Sequence, residues 1–122
     1  MILVDTSVWI DHLRVGEPLL VELLNVNRVL IHPLVIGELA CGNLNNRKTV
    51  LSLLRKLPIA RLATDDEVLF FVERYGLMGR GIGYIDAHLL AAVSLTGTVR
   101  LWTRDKRLGT VAESMRLALE LV

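Results

Sequence analysis

Short apolar runs alternate with amphipathic stretches along the chain. Ile2-Leu3-Val4 has no polar interruption and reads as a buried parallel strand. Thr6 and Ser7 follow as N-cap candidates for a helix to about residue 14, which Gly16 breaks. Pro18 opens a second helix over residues 19–24. Val29-Leu30-Ile31 reads as the next strand, stopped by Pro33. Residues 34–41 then form a helix ended by Gly42 and Asn43. Asn45 or Asn46 caps another, which runs to about Lys56 and is closed by Pro58.

Residues 59–62 are expected to form a third strand. Thr64, with Glu67 three positions on, makes a capping box for a helix to Tyr75, and Gly76 ends it. A glycine-rich loop leads to Gly83, followed by a strongly apolar helix over residues 84–95. Residues 99–102 read as a strand, a short helix begins near Asp105 or Lys106, and residues 117–121 are expected to form a last edge strand. No repeat or low-complexity segment intervenes. The alternation predicts an α/β fold, a single domain over residues 1–122 with a mostly parallel central sheet flanked by helices. In such sheets ligands gather at the carboxyl ends of the strands.

Four acids interrupt the apolar pattern. Asp5 ends the first strand, and Asp105 follows the strand over residues 99–102. Glu38 lies on a helix whose same-face neighbours are Leu34, Val35, Cys41 and Gly42, none able to pair with its charge. Asp86 opens a helix in which its same-face neighbours are Leu89, Leu90 and Val93. Each has an ordinary structural explanation: Asp5 and Asp105 suit helix N-caps, Asp86 suits a helix first turn, and Glu38 suits a helix edge turned to solvent. A carboxylate beside an apolar core is nevertheless costly unless its charge is compensated. Four such residues in alternating strands and helices point to a shared cation. Ser7, two after Asp5, and Thr103, two before Asp105, are placed either to cap or to orient a carboxylate or a metal-bound water.

Hard oxygen donors favour Mg²⁺ or Mn²⁺ over zinc. Cys41, His12, His32 and His88 lack zinc-ligand spacing. The formal charge is +1, which alone fits an ordinary mixed surface; neutralising the four acids with metal would leave a basic surface suited to a polyanion. The 52% apolar content is slightly rich, an excess that suits an interface. A lone cysteine excludes an intramolecular disulfide and fits a reducing cytoplasm. The longest uncharged stretch, residues 87–99, is too short to span a bilayer, and the opening residues carry no signal-peptide pattern.

Asp5-Thr6-Ser7-Val8-Trp9-Ile10-Asp11 resembles the opening motif of PIN-domain ribonucleases. Glu38 in Val35-Ile36-Gly37-Glu38-Leu39 matches that family's helix glutamate. Ile82-Gly83-Tyr84-Ile85-Asp86-Ala87-His88 matches its central aspartate motif, and Leu101-Trp102-Thr103-Arg104-Asp105-Lys106 its last acidic motif. In order, spacing and chain length the whole resembles the VapC toxins of prokaryotic toxin–antitoxin pairs. The resemblance implies a Mg²⁺- or Mn²⁺-dependent endoribonuclease whose Asp5, Glu38, Asp86 and Asp105 hold the metal and carry catalysis, leaving a 5′-phosphate and a 3′-hydroxyl. It also implies a homodimer inhibited by a VapB-like antitoxin.

Arg80, Arg104, Lys106 and Arg107 flank the two C-terminal acidic motifs and are candidates to hold RNA phosphates; solvated surface charge is the plainer alternative. His88 reads as a core or interface histidine, and Trp9 and Trp102 as packing beside the sheet. Asp11, Asp65 and Asp66 read as exposed or capping. Alternatives to the toxin are a PIN-type nuclease in RNA processing and a non-catalytic RNA- or protein-binding module, although the latter would carry degraded acidic motifs. An aspartyl phosphatase commonly needs a second Asp two residues after the first, where this chain has Ser7.

Overall fold

The computed structural model describes residues 1–121, so Val122, the end of the expected domain, lies outside the described residues. Strand β1 (Ile2–Val4) is buried along its whole length, as its unbroken apolar run requires. Helix α1 (Thr6–Val15) begins directly after Asp5. Asp5 itself occupies the N-cap position, not the expected Thr6 or Ser7, and its side chain makes no capping bond. Helix α2 (Pro18–Asn25) starts on a proline, whose missing N–H costs nothing in a first turn. Strand β2 (Val29–Leu30) follows, then α3 (Pro33–Ala40), whose N-cap is His32, and α4 (Arg47–Arg55).

Helix α5 (Asp65–Tyr75) has the expected capping box. The Thr64 hydroxyl accepts from Glu67 N at 3.1 Å, and Thr64 N donates to Glu67 Oε1 at 2.9 Å. Gly76 ends the helix at φ +61°, a left-handed conformation that glycine tolerates best. Helix α6 (Tyr84–Ser94) buries every residue from Ala87 to Val93, which is why its sequence is apolar on all sides. It packs against α5 and against strand β3 (Arg100–Trp102). Helix α7 (Lys106–Ser114) follows.

The sheet is parallel, in the order β2-β1-β3. Leu3 sits opposite Leu30 on one side and Leu101 on the other. Leu3, Leu89, Leu90, Leu101 and Leu108 are fully buried within one hydrophobic cluster. Seating β1 in the middle puts Asp5 just beyond the sheet's central carboxyl end.

Two expected strands shrink to single bridges. Residues 59–62 pair only through Ile59 opposite Ile31, with Ala60 N donating to Ile31 O at 2.9 Å. Of these four residues only Ala60 is buried, and the stretch is confined between Pro58 and the Thr64 cap, so no apolar face extends the ladder. Residues 117–121 pair only through Ala118 opposite Leu101. This segment emerges from a turn at Arg116 (φ +59°), and its leucines are no more than half-buried.

Candidate metal centre

Asp5 is 5% exposed, and its ionised form needs donors. Ser7 Oγ donates to Asp5 Oδ2 at 2.8 Å, and Thr103 Oγ1 donates to the same oxygen at 2.7 Å. Each hydroxyl in turn accepts a backbone N–H from the loop after β3: Arg104 N to Ser7 Oγ at 2.9 Å, and Asp105 N to Thr103 Oγ1 at 3.1 Å. With both hydroxyl protons committed to Asp5, the 3.3 Å approach of Ser7 Oγ to Thr103 Oγ1 is a contact between acceptors, not a further bond. Asp5 Oδ2 is therefore saturated, while Oδ1 takes no part in these bonds.

The other acids are held separately. Thr6 Oγ1 donates to Glu38 Oε1 at 2.7 Å, joining α1 to α3 across 32 positions. Sequence reasoning found no partner for Glu38 on its own helix; the partner comes from the neighbouring one. Gly83 N donates to Asp86 Oδ2 at 3.1 Å, fixing Asp86 in the first turn of α6. Asp105 Oδ1 accepts from Leu108 N at 2.9 Å, so this residue does cap its helix.

Burial pushes the Asp86 carboxyl above its ordinary pKa, and the negative charges of Asp5, Asp105 and Glu38 push it further, against the opposing pull of Gly83 N–H. Asp5, Asp105 and Glu38 are thus each within electrostatic reach of Asp86. Among the described residues, none of the four acids meets a Lys or Arg in an ion pair; the pairs that form involve Asp65, Asp11 and Glu17. Oxygen donors that repel Asp86, without an ion-paired counter-charge among the described residues, suit a hard divalent cation. Among the described residues, no three His, Cys, Asp or Glu side chains are gathered closely enough to hold a metal ion as they stand.

Residues 2–114 match the family model described as PIN domain. The chain is also 53% identical over 119 residues to Ribonuclease VapC32 of Mycobacterium tuberculosis, from strains CDC 1551 / Oshkosh and ATCC 25618 / H37Rv; the match covers 98% of this chain and 96% of each relative. This chain belongs to the PIN-domain family.

The basic residues of this PIN domain differ in their freedom. Arg104 Nη1 donates to Asp11 Oδ2 at 2.7 Å, its Nη2 pairs with Glu17 Oε2, and its guanidinium stands 5.8 Å from the Trp102 ring centroid. Its charge is already matched, and it braces the loop after β3 against α1 and the start of α2. Asp11, expected to be exposed or capping, is half of that brace. Arg80, Lys106 and Arg107 are exposed. Arg107 lies over the glycine loop so closely that a Cβ on Gly81 (φ +79°) would stand 2.6 Å from its Cδ. Trp9 and Trp102 are buried and pack in the core, as expected. Among the described residues, no helix is long and apolar enough to cross a membrane.

Sequence reasoning missed Thr6, as a partner for Glu38, and Asp65. Asp65 accepts from Tyr84 Oη at 2.6 Å and lies 3.0 Å from His88 Nε2. Neither contact leaves a local signal, because each joins side chains on different helices.

Proposed function

We propose that residues 1–122 act as one domain, a Mg²⁺- or Mn²⁺-dependent endoribonuclease that is the toxin of a VapBC-type pair. The observation that carries this reading is the pressure that burial and the charges of Asp5, Asp105 and Glu38 put on Asp86, with none of the four in an ion pair to Lys or Arg among the described residues. The 53% identity to a relative named as a ribonuclease VapC supports the same reading.

Asp5, Glu38, Asp86 and Asp105 would hold the metal, directly or through water. When bound, the ion would activate water and neutralise charge on the phosphate and the leaving oxygen. The chain's own residues prepare the site. Ser7 and Thr103 lock one oxygen of Asp5 and leave the other for the ion. Thr6 aims Glu38, and Gly83 N–H fixes one oxygen of Asp86. Arg80, Lys106 and Arg107 hold RNA phosphates in this reading. Arg104, paired with Asp11 and Glu17, supports the loop instead.

The expected partners are RNA, a VapB-like antitoxin and a second copy of the chain, in the cytoplasm. Incubating the purified protein with RNA tests the enzymatic reading. Cleavage in Mg²⁺ that leaves 5′-phosphates and stops on chelation supports it. Cleavage that leaves 2′,3′-cyclic phosphates without metal contradicts it. For the toxin role, Glu38→Gln should abolish growth arrest on expression.

A further inference from the structure

His32 and His88 are 3% and 7% exposed, and each has one buried ring nitrogen without a partner among the described residues: Nε2 of His32 and Nδ1 of His88. Buried polar atoms are normally satisfied, by protein or by water. The partners these rings do have assign their protons. His32 Nδ1 accepts from Leu34 N at 3.0 Å, so the neutral ring carries its hydrogen on Nε2. His88 Nε2 faces the Asp65 carboxylate at 3.0 Å, and a carboxylate only accepts, so Nε2 carries a hydrogen and, in the neutral ring, Nδ1 a lone pair. The two unsatisfied atoms are therefore a donor and an acceptor. Their rings stand edge to face with centroids 6.1 Å apart. Asp65 also accepts from Tyr84 Oη at 2.6 Å, and the Tyr84 ring packs against His88 at 4.7 Å between centroids.

One set of bonds ties the first turn of α3 to His32, another ties His88 to Asp65 at the start of α5 and back to Tyr84 at the start of α6, and the two sets meet only where the histidine rings pack together. Helix α3 carries Glu38, and α6 carries Asp86. We propose that His32, His88, Asp65 and Tyr84 form a positioning relay, completed by one water between His32 Nε2 and His88 Nδ1, that holds Asp86 in place relative to Glu38. The effect on catalysis rests on the nuclease reading above, whereas the proton assignment stands without it.

Imidazole ¹⁵N NMR of the metal-free full chain reads the proton assignment directly. Both rings should carry a hydrogen on Nε2, and Nδ1 of His32 should carry none at pH 7. A His32 ring protonated on Nδ1, or charged at that pH, overturns the relay. Kinetics then test positioning. Asp65 faces solvent, so Asp65→Ala is expected to fold. It removes the acceptor that Asp65→Asn keeps, and Tyr84→Phe removes one hydroxyl. Asp65→Ala should lower kcat for RNA by roughly 10–100-fold with KM little changed, as loss of a supporting hydrogen bond does elsewhere, and Asp65→Asn should recover most of it. His32→Asn, which keeps an acceptor for Leu34 N–H but has no Nε2–H, should resemble Asp65→Ala. An Asp65→Ala enzyme with parental kcat, or equal losses in the Ala and Asn variants, overturns the positioning role. A parent chain that cleaves no RNA removes the nuclease reading and the relay's role in catalysis, and the NMR result still decides the proton assignment.

Discussion

Thr103 and Asp5, 98 positions apart in the chain, share a 2.7 Å hydrogen bond at the carboxyl end of the sheet. Through it the loop after β3 is fastened to the loop after β1, and the same hydroxyl receives Asp105 N–H. One side chain thus sets the spacing of two acids. Thr103→Val keeps the shape and removes the hydroxyl, leaving Asp5 Oδ2 with one donor fewer and Asp105 N–H without its acceptor. The variant should lose about 1–3 kcal/mol of stability and cleave RNA more slowly, whereas Thr103→Ser should restore both. Chemical denaturation and initial cleavage rates check this.

Asp86 provides a prediction whose sign is set by its surroundings. Its folded pKa lies above the ordinary aspartate value of 3.8, so the folded chain holds that proton more tightly than the unfolded one. Ionised Asp86 therefore opposes folding at neutral pH when metal is absent. Asp86→Asn should melt higher than the parent in chelator. The parent should gain stability with Mg²⁺, by about 2.7 kcal/mol at a hundred times the dissociation constant, and the variant should gain far less. Melting curves with chelator and with Mg²⁺ read both effects.

His32 sets a pH dependence of stability in the opposite sense. Burial, then the neighbouring His88, lowers its pKa from 6.5 to about 4. The unfolded chain binds this proton near pH 6.5 and the folded chain only near pH 4, so unfolding takes up a proton between those values. The contribution from neutral His32 is fully present above about pH 6.5 and is lost as pH falls towards 4. Urea midpoints measured from pH 7.5 to pH 4.5 should fall, and His32→Asn should flatten that part of the decline.

The basic residues should divide into two groups. Each RNA phosphate contact that is lost lowers the slope of log affinity against log salt by about 0.7 for a single strand. Arg80→Ala and Lys106→Ala should each do so in an inactive Asp5→Asn background. Arg104→Met should leave the slope unchanged and lower the melting temperature, because its charge is committed to Asp11 and Glu17. Salt-titrated binding assays and melting curves separate the two.

Features of the fold that depend on neighbouring residues were legible in the chain. The Ile2-Leu3-Val4 run, the Thr64–Glu67 box and the Gly76 stop each encode their structure within a few positions. The order of the four acidic motifs carried the family. What could not be read joins distant segments. Thr6 meets Glu38 across 32 positions, and Arg104 meets Asp11 across 93. No local periodicity marks either pair. Asp5 was legible as a strand end and as a possible cap. Its carboxylate turns from the helix because two hydroxyls, one of them from Thr103 at the far end of the chain, offer it better donors. Residues 59–62 and 117–121 each pair through a single bridge because apolar content alone does not extend a ladder: residues 59–62 lack a continuous buried face.

The most direct measurement is Mn²⁺ binding by electron paramagnetic resonance, without RNA, for the parent and for the single variants Asp5→Asn, Glu38→Gln, Asp86→Asn and Asp105→Asn. Saturable binding by the parent, weakened at least ~10-fold in each folded variant, is the expected result, since even supporting residues change metal affinity by that much. A parent chain without saturable binding, or variants that bind as the parent does, would contradict a divalent ion held jointly by these four acids.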